Sequence, residues 1–247
     1  MKDFHCVVGN KGGVGKSVAA SWLLQYAMDQ GIDPLGIECD PSNRTLSCYE
    51  ELRVKRLELL DSEQQIDTRR FDALVETLLD ERESFVVMDN GQASFAPLTR
   101  YMYECGAFRM LRNAGRACYV HTIVTGGQLG RSTLVGLKDT LEAAHNEAHV
   151  VVWRNEHFGP VDEAAYAAIV DASGVAVLGP VQLHRWSPPF EKDVQQMLSA
   201  FATFQGAMVS PDFRIMAKHR LTMVRDHVFG SLERALNPEV GKLAENA

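Results

Sequence analysis

Short apolar runs alternate with longer amphipathic stretches along most of the chain, a rhythm that predicts βα units around a mainly parallel sheet. The runs at 4–9 (FHCVVG), 34–39 (PLGIEC), 84–89 (SFVVMD), 118–125 (CYVHTIVT), 149–155 (HVVVWRN) and 175–180 (VAVLGP) read as strands. Most are too apolar to leave one face in water, which places them inside the sheet. RVKRLELL at 53–60 is a further strand candidate, third in chain order. Helical spacing takes over at 67–83, where Phe71, Leu74, Val75, Leu78 and Leu79 share one stripe and Asp67 is placed to cap the N-terminus. Another helix begins near Lys16, and SPPF at 187–190 reads as a turn ahead of a helix. From Pro188 onward the pattern is helical, with Ala217, Leu221, Val224, Val228, Leu232 and Leu236 three or four residues apart. That stripe is expected to dock on the protein's own core. With no internal repeat or linker, the expectation is one α/β domain over 1–247, a doubly wound sheet flanked by helices with a helical C-terminal part from about 188.

Composition narrows the class without changing this picture. The 247 residues are 46% hydrophobic and 23% charged, as in a globular protein, and no run of apolar residues is long enough to span a bilayer. Without a signal-peptide pattern, a cytoplasmic protein with no stable membrane insertion is expected. The five cysteines are scattered and form no C-x-x-C, which argues against a disulfide framework or a zinc ribbon. The eight histidines show no ligand spacing, and His121, inside a strand, reads as a hydrogen-bonded core residue. A net charge of −7 disfavours bulk coating of nucleic acid, so DNA remains a partner only through a local patch. Any such patch is to be sought among Arg100, Arg109, Arg112, Arg116 and Arg131, although a solvated helix face is the plainer reading.

The chemistry lies in VVGNKGGVGKS at 7–17. It ends in the Gly15, Lys16 and Ser17 of a phosphate-binding loop, with Asn10 at the position of the pattern's first glycine. A strand precedes it and a helix follows, the context such a loop requires. Glycines let successive N–H groups curl inward, so the stretch Gly12, Gly13, Val14, Gly15, Lys16, Ser17 and Val18 is the candidate cradle for a nucleotide's phosphates. Lys16 is placed to reach the β- and γ-phosphates and the Ser17 hydroxyl to ligate Mg²⁺. Carboxylates for metal and hydrolysis are expected at strand ends. Asp89 closes FVVMD and suits the metal, with Gly91 just past it as a candidate N–H donor to a γ-phosphate. Asp40 closes GIECD and suits a water-orienting role at the metal site, a strand-end turn being its other reading.

KGGVGKS resembles the deviant phosphate loop of the ParA/MinD branch of P-loop ATPases, with Lys11 at that branch's signature lysine. The resemblance implies an ATP-sandwiched homodimer in which Lys11 crosses to the partner's phosphates and acts like an arginine finger. DTRRFDALVE, VVMDNGQASFAPLTRYM, VHTIVTGGQ and VVWRNEHFGP further resemble the TraL family of conjugal transfer proteins, which implies a role in DNA transfer beside relaxosome or secretion-channel components. It also implies ATP and Mg²⁺ as cofactors, slow hydrolysis, Asp40 as the switch I aspartate and Asp89 as the Walker B aspartate. Asn155 matches the family position that reads adenine, while a helix or turn cap is its equal alternative. Two departures stand out: Glu38 replaces the first aspartate of D-x-D-P, and the segment after the second strand-end aspartate reads DNGQ. Rival readings are a ParA-type positioning protein that binds DNA non-specifically and a nucleotide-binding scaffold without significant turnover.

Overall fold

The computed structural model describes residues 2–40, 44–80, 82–144 and 147–237. Residues 41–43, which would complete the strand-end turn read at Asp40, therefore lie outside the described residues. Seven strands, β1 (Lys2–Val8), β2 (Leu35–Glu38), β3 (Val54–Arg56), β4 (Phe85–Asp89), β5 (Arg116–Thr125), β6 (His149–Asn155) and β7 (Val177–Leu183), form one sheet in the order β3-β2-β4-β1-β5-β6-β7. Every neighbouring pair is parallel. Nine helices accompany them among the described residues: α1 (Lys16–Asp29), α2 (Phe71–Leu79), α3 (Phe95–Glu104), α4 (Ala107–Asn113), α5 (Gly130–Ala144), α6 (Glu163–Ser173), α7 (Pro188–Ser199), α8 (Phe204–Val209) and α9 (Ile215–Leu236).

The strand order fixes where chemistry can happen. The chain winds from β1 out to β2 and β3, returns to β4 beside β1, and then builds the other half through β5, β6 and β7. Such a reversal opens a crevice at the carboxyl ends of the strands. Val7 is in register with Asp89 on one side and His121 on the other, so the loop after β1 emerges next to the last residue of β4.

Alternation along the strands feeds two faces. Val7, Val87, Ile123, Val151 and Trp153 pack with Leu23 and Leu24 of α1 and with Leu221, Val224, Val228 and Leu232 of α9. Phe4, Cys6, Val86 and Met88 face Leu74, Leu78, Leu98 and Leu111, while Val150 and Val152 meet Leu134, Leu137 and Leu141 of α5. Each fully buried aliphatic of α9 contributes about 1.5–3 kcal/mol as an upper estimate. That stripe is thus committed to the sheet, as its periodicity predicts, and no helix among the described residues is long and apolar enough to cross a membrane.

Several expectations shift in detail. β3 covers only Val54–Arg56 because it is an edge strand, paired on one side. β7, the opposite edge, continues past the expected end at 180 to Leu183, and an edge strand tolerates Pro180. Asp67 does cap, accepting from the Arg69 N–H, but it caps a 3-10 turn at Thr68–Arg70 that precedes α2. Pro188 and Pro189 belong to the first turn of α7 rather than to a turn before it, where a missing N–H costs nothing. The five cysteines are free, and Cys6, Cys39 and Cys118 are buried. His121 is fully buried: its Nδ1 accepts from the Trp153 indole N–H at 2.9 Å and its Nε2 lies 2.9 Å from His5 Nδ1.

Among the arginines at 100–131, Arg116 departs from the solvated helix face that is their plainer reading. Arg116 is buried at the start of β5, its guanidinium donating to the carbonyls of Asp3 at 3.2 Å and Glu83 at 2.6 Å. The orphan carbonyls at that sheet end need a donor more than solvent needs a charge. Arg109 is paired with Glu147, and Arg100 lies 3.9 Å from Glu104, so the set offers no continuous stripe of unpaired cations.

Candidate nucleotide and metal site

Residues 9–15 join β1 to α1 at the crevice. Gly15 occupies the N-cap of α1 at φ 104°, a conformation that favours glycine, and no side chain caps the helix. The N–H groups of the first turn are thereby left to a ligand. Asn10 does not need to be glycine, since its φ is not positive. Its side chain donates to the Ser132 carbonyl at 3.2 Å and packs against Gly136, tying the loop to α5.

Lys16 is buried, and its ammonium turns inward to the Lys11 carbonyl. Burial lowers its pKa, while Asp89 and Asp40 work in the opposite direction. Asp89, buried at the end of β4, is pushed up to about 6 by burial, against the pull of the Ser17 hydroxyl and Lys16 and with repulsion from Glu38 and Asp40. A cation relieves that penalty, and one hydroxyl with two carboxylates is a hard oxygen donor set of the kind Mg²⁺ takes. Gly12, Gly13, Gly15, Lys16, Ser17, Val18, Asp40, Thr45 and Gln92 line one open cleft of about 720 Å³. The residues present therefore fit a polyphosphate with its metal.

Three neighbours were not resolved by sequence reasoning. A Cβ built on Gly91 would lie 2.6 Å from Asp40 Cγ, so the Asp40 carboxylate rests against the bare Cα of residue 91. The Gln92 carboxamide accepts from the Gly12 N–H at 3.1 Å, bringing the DNGQ segment onto the phosphate loop. Glu38 accepts from the Leu46 N–H at 2.8 Å and from the Ser47 hydroxyl. Its carboxylate thus anchors the backbone at Leu46 and Ser47, past Asp40. The extra methylene relative to aspartate gives it that reach.

Asn155 ends β6 with both ends of its amide engaged. Nδ2 donates to the Val14 carbonyl at 3.0 Å, and Oδ1 accepts from the His157 N–H at 3.0 Å as a turn cap. One N–H and one lone pair remain for any base edge. A second cleft of about 600 Å³ continues from Gly13, Gly15 and Val18 past Asn155, Phe158 and Trp186 to Trp22, whose buried indole N–H has no partner among the described residues. The half-buried Lys11 side chain makes no hydrogen bond or ion pair among the described residues.

A model of the CobQ/CobB/MinD/ParA nucleotide binding domain matches residues 5–227. Two TraL proteins of Escherichia coli are each 34% identical to this chain, one over 241 residues and the other over 240, each alignment covering 95% of this chain and 99% of the relative. Among solved structures, the septum site-determining protein MinD complexed with Mg-ADP, from Pyrococcus horikoshii OT3, superposes with a TM-score of 0.51 at 17% identity over 92% of this chain and 96% of that one. A ParA family ATPase from Chlorobium tepidum TLS gives 0.57 at 11% identity over 91% and 97%. The chain belongs to the CobQ/CobB/MinD/ParA family of nucleotide-binding proteins and, within it, groups with the TraL proteins.

Proposed function

We propose that this protein is a single-unit ATPase switch that binds Mg-ATP, dimerises around it, hydrolyses it slowly and serves conjugative DNA transfer by recruiting or positioning transfer components. The observation that carries the reading is the convergence of Lys16, Ser17 and Asp40 on one cleft below the bare N-terminus of α1, with Asp89 buried behind it in interaction with Ser17 and Lys16. When bound, Mg²⁺ supplies charge neutralisation and orientation of phosphate oxygens. Ser17, Asp89 and Asp40 would hold it and its water shell. The loop amides from Gly12 to Val18 and the Lys16 ammonium would cradle the phosphates, the lysine leaving the Lys11 carbonyl to do so. Asp40 would orient the attacking water, its position fixed by contact with Gly91. Lys11, without a partner among the described residues, would reach across to a second subunit's phosphates. Asn155 would brace the loop and offer its remaining amide groups to adenine. The transfer role rests on the similarity to the TraL proteins.

Two of the three tryptophans, Trp22 and Trp186, line the second cleft and provide the assay. Titration with ATP and with ADP, in Mg²⁺ and after chelation, is expected to change tryptophan emission saturably, with ATP binding weakened by chelation and inorganic phosphate released on prolonged incubation. No emission change with either nucleotide and no phosphate release would reject the reading; binding without release would leave a nucleotide-supported scaffold.

A further inference from the structure

We infer that the Gln92 carboxamide is a plug in the phosphate loop: it holds the Gly12 N–H until a nucleotide phosphate oxygen replaces it, so that filling the loop releases the segment after Asp89. This rests on the nucleotide reading above and specifies how that site is regulated. Two donors of the loop are already satisfied by the chain itself, the Lys16 ammonium by the Lys11 carbonyl and the Gly12 N–H by Gln92 Oε1. The Gln92 bond is solvent-exposed and lies in the cleft that Lys16, Ser17 and Asp40 line. A neutral amide oxygen is a weaker acceptor than a phosphate oxygen, whose hydrogen bonds are charge-assisted and roughly twice as strong. Phosphate therefore wins the Gly12 N–H, and Gln92 must leave.

Its departure frees the backbone that it tethers. Gln92 follows Gly91, whose Cα abuts the Asp40 carboxylate, so a backbone shift at 91 and 92 alters the surface against which Asp40 rests. Asn90, one residue earlier, is fully buried with Oδ1 taking the Ser94 hydroxyl at 2.6 Å and Nδ2 without a partner among the described residues. An unpaired buried donor is a cost that a rearranged segment can recover. The loop, the plug and the Asp40 contact thus form one mechanical unit four residues long, from Asp89 to Gln92.

The test is calorimetric titration of Mg-ADP and Mg-ATP into wild type, Gln92→Ala and Gln92→Glu, with thermal midpoints showing that all three are folded. Removing the plug is expected to tighten nucleotide binding about threefold to tenfold, the net worth of one hydrogen bond. Gln92→Glu, which keeps the reach and sets a negative charge opposite the incoming phosphate, is expected to weaken it at least about tenfold. Hydrogen exchange at the Gly12 amide without nucleotide is expected to quicken in Gln92→Ala and not in Gln92→Glu. Unchanged or weaker binding by Gln92→Ala, with normal wild-type binding, would overturn the plug and leave the nucleotide reading standing. Binding by none of the three would overturn both.

Discussion

Gly91→Ala is the sharpest probe of the geometry proposed for hydrolysis. The φ of Gly91 lies outside the left-handed region, so alanine is permitted there by the backbone, and its whole effect comes from the added Cβ. That atom would lie 2.6 Å from Asp40 Cγ and 2.8 and 2.9 Å from its two carboxylate oxygens. Ordinary carbon–carbon contact begins near 3.5 Å, so the Asp40 carboxylate must retreat by about 1 Å or the backbone at 91 must move by as much. A displacement of that size in a positioning group costs roughly 100-fold in rate. Overpacking of this kind costs about 1–3 kcal/mol of stability, a fall of a few degrees in Tm for a protein of this size. The expected result is ATP turnover reduced roughly 100-fold, with affinity for ADP measured after chelation of Mg²⁺ within about twofold to threefold of wild type, since without the metal ADP binding does not use the Asp40 carboxylate. The assay is steady-state phosphate release beside calorimetric binding. Turnover within twofold of wild type in a folded variant would refute the argument that the Gly91 contact sets the position of Asp40 for catalysis.

Two further outcomes follow from the same structure. Asn155→Ala removes the Val14 brace and the cap on the His157 N–H; if bracing is its main role, ATP and inorganic tripolyphosphate should lose affinity by the same factor, about tenfold, in calorimetry, whereas a loss confined to ATP would show that it reads the base. His5 and His121 are neutral in the native state, burial holding the first well below its ordinary pKa and the second at about 3. Their folded values lie below the unfolded one, so stability is full above about pH 6.5 and is lost as pH falls below it, by about 1.4 kcal/mol per pH unit for each histidine. His5→Phe should therefore flatten the denaturant-midpoint slope between pH 6.5 and 4.5 by about one proton, and an unchanged slope would contradict the assignment.

The fold was legible because fully buried parallel strands announce themselves as apolar runs, and the same runs fixed where Lys16, Asp40, Asp89 and Asn155 would emerge. Edges were harder. The pattern at 53–60 continues past Arg56, yet the strand stops there, because its one neighbour β2 ends at Glu38, whose carbonyl takes the Leu57 N–H, and beyond it Leu59 and Leu60 turn to Asp67 and Ile66. Arg116 misled because charge suggests solvent, whereas the carbonyls of Asp3, Asp80 and Glu83 converge on it from segments distant in sequence. Gln92 and Asn10 were visible as departures from a motif, but their partners, Gly12 and Ser132, lie 80 and 122 residues away and no local pattern encodes them. Glu38 looked like an altered metal ligand; its second oxygen has a use in the Ser47 hydroxyl that only the returning backbone explains.

The central claim is that Lys11, the extra lysine of the loop, works between subunits. It is tested most directly by light-scattering mass of wild type, Asp40→Ala and Lys11→Ala with no nucleotide, with Mg-ADP and with Mg-ATP. The account predicts that Mg-ATP alone produces a dimer, that Asp40→Ala makes it persist by blocking hydrolysis, and that Lys11→Ala abolishes it while still binding nucleotide. A mass indifferent to nucleotide in wild type, or a Mg-ATP dimer that forms as readily without Lys11, would contradict it.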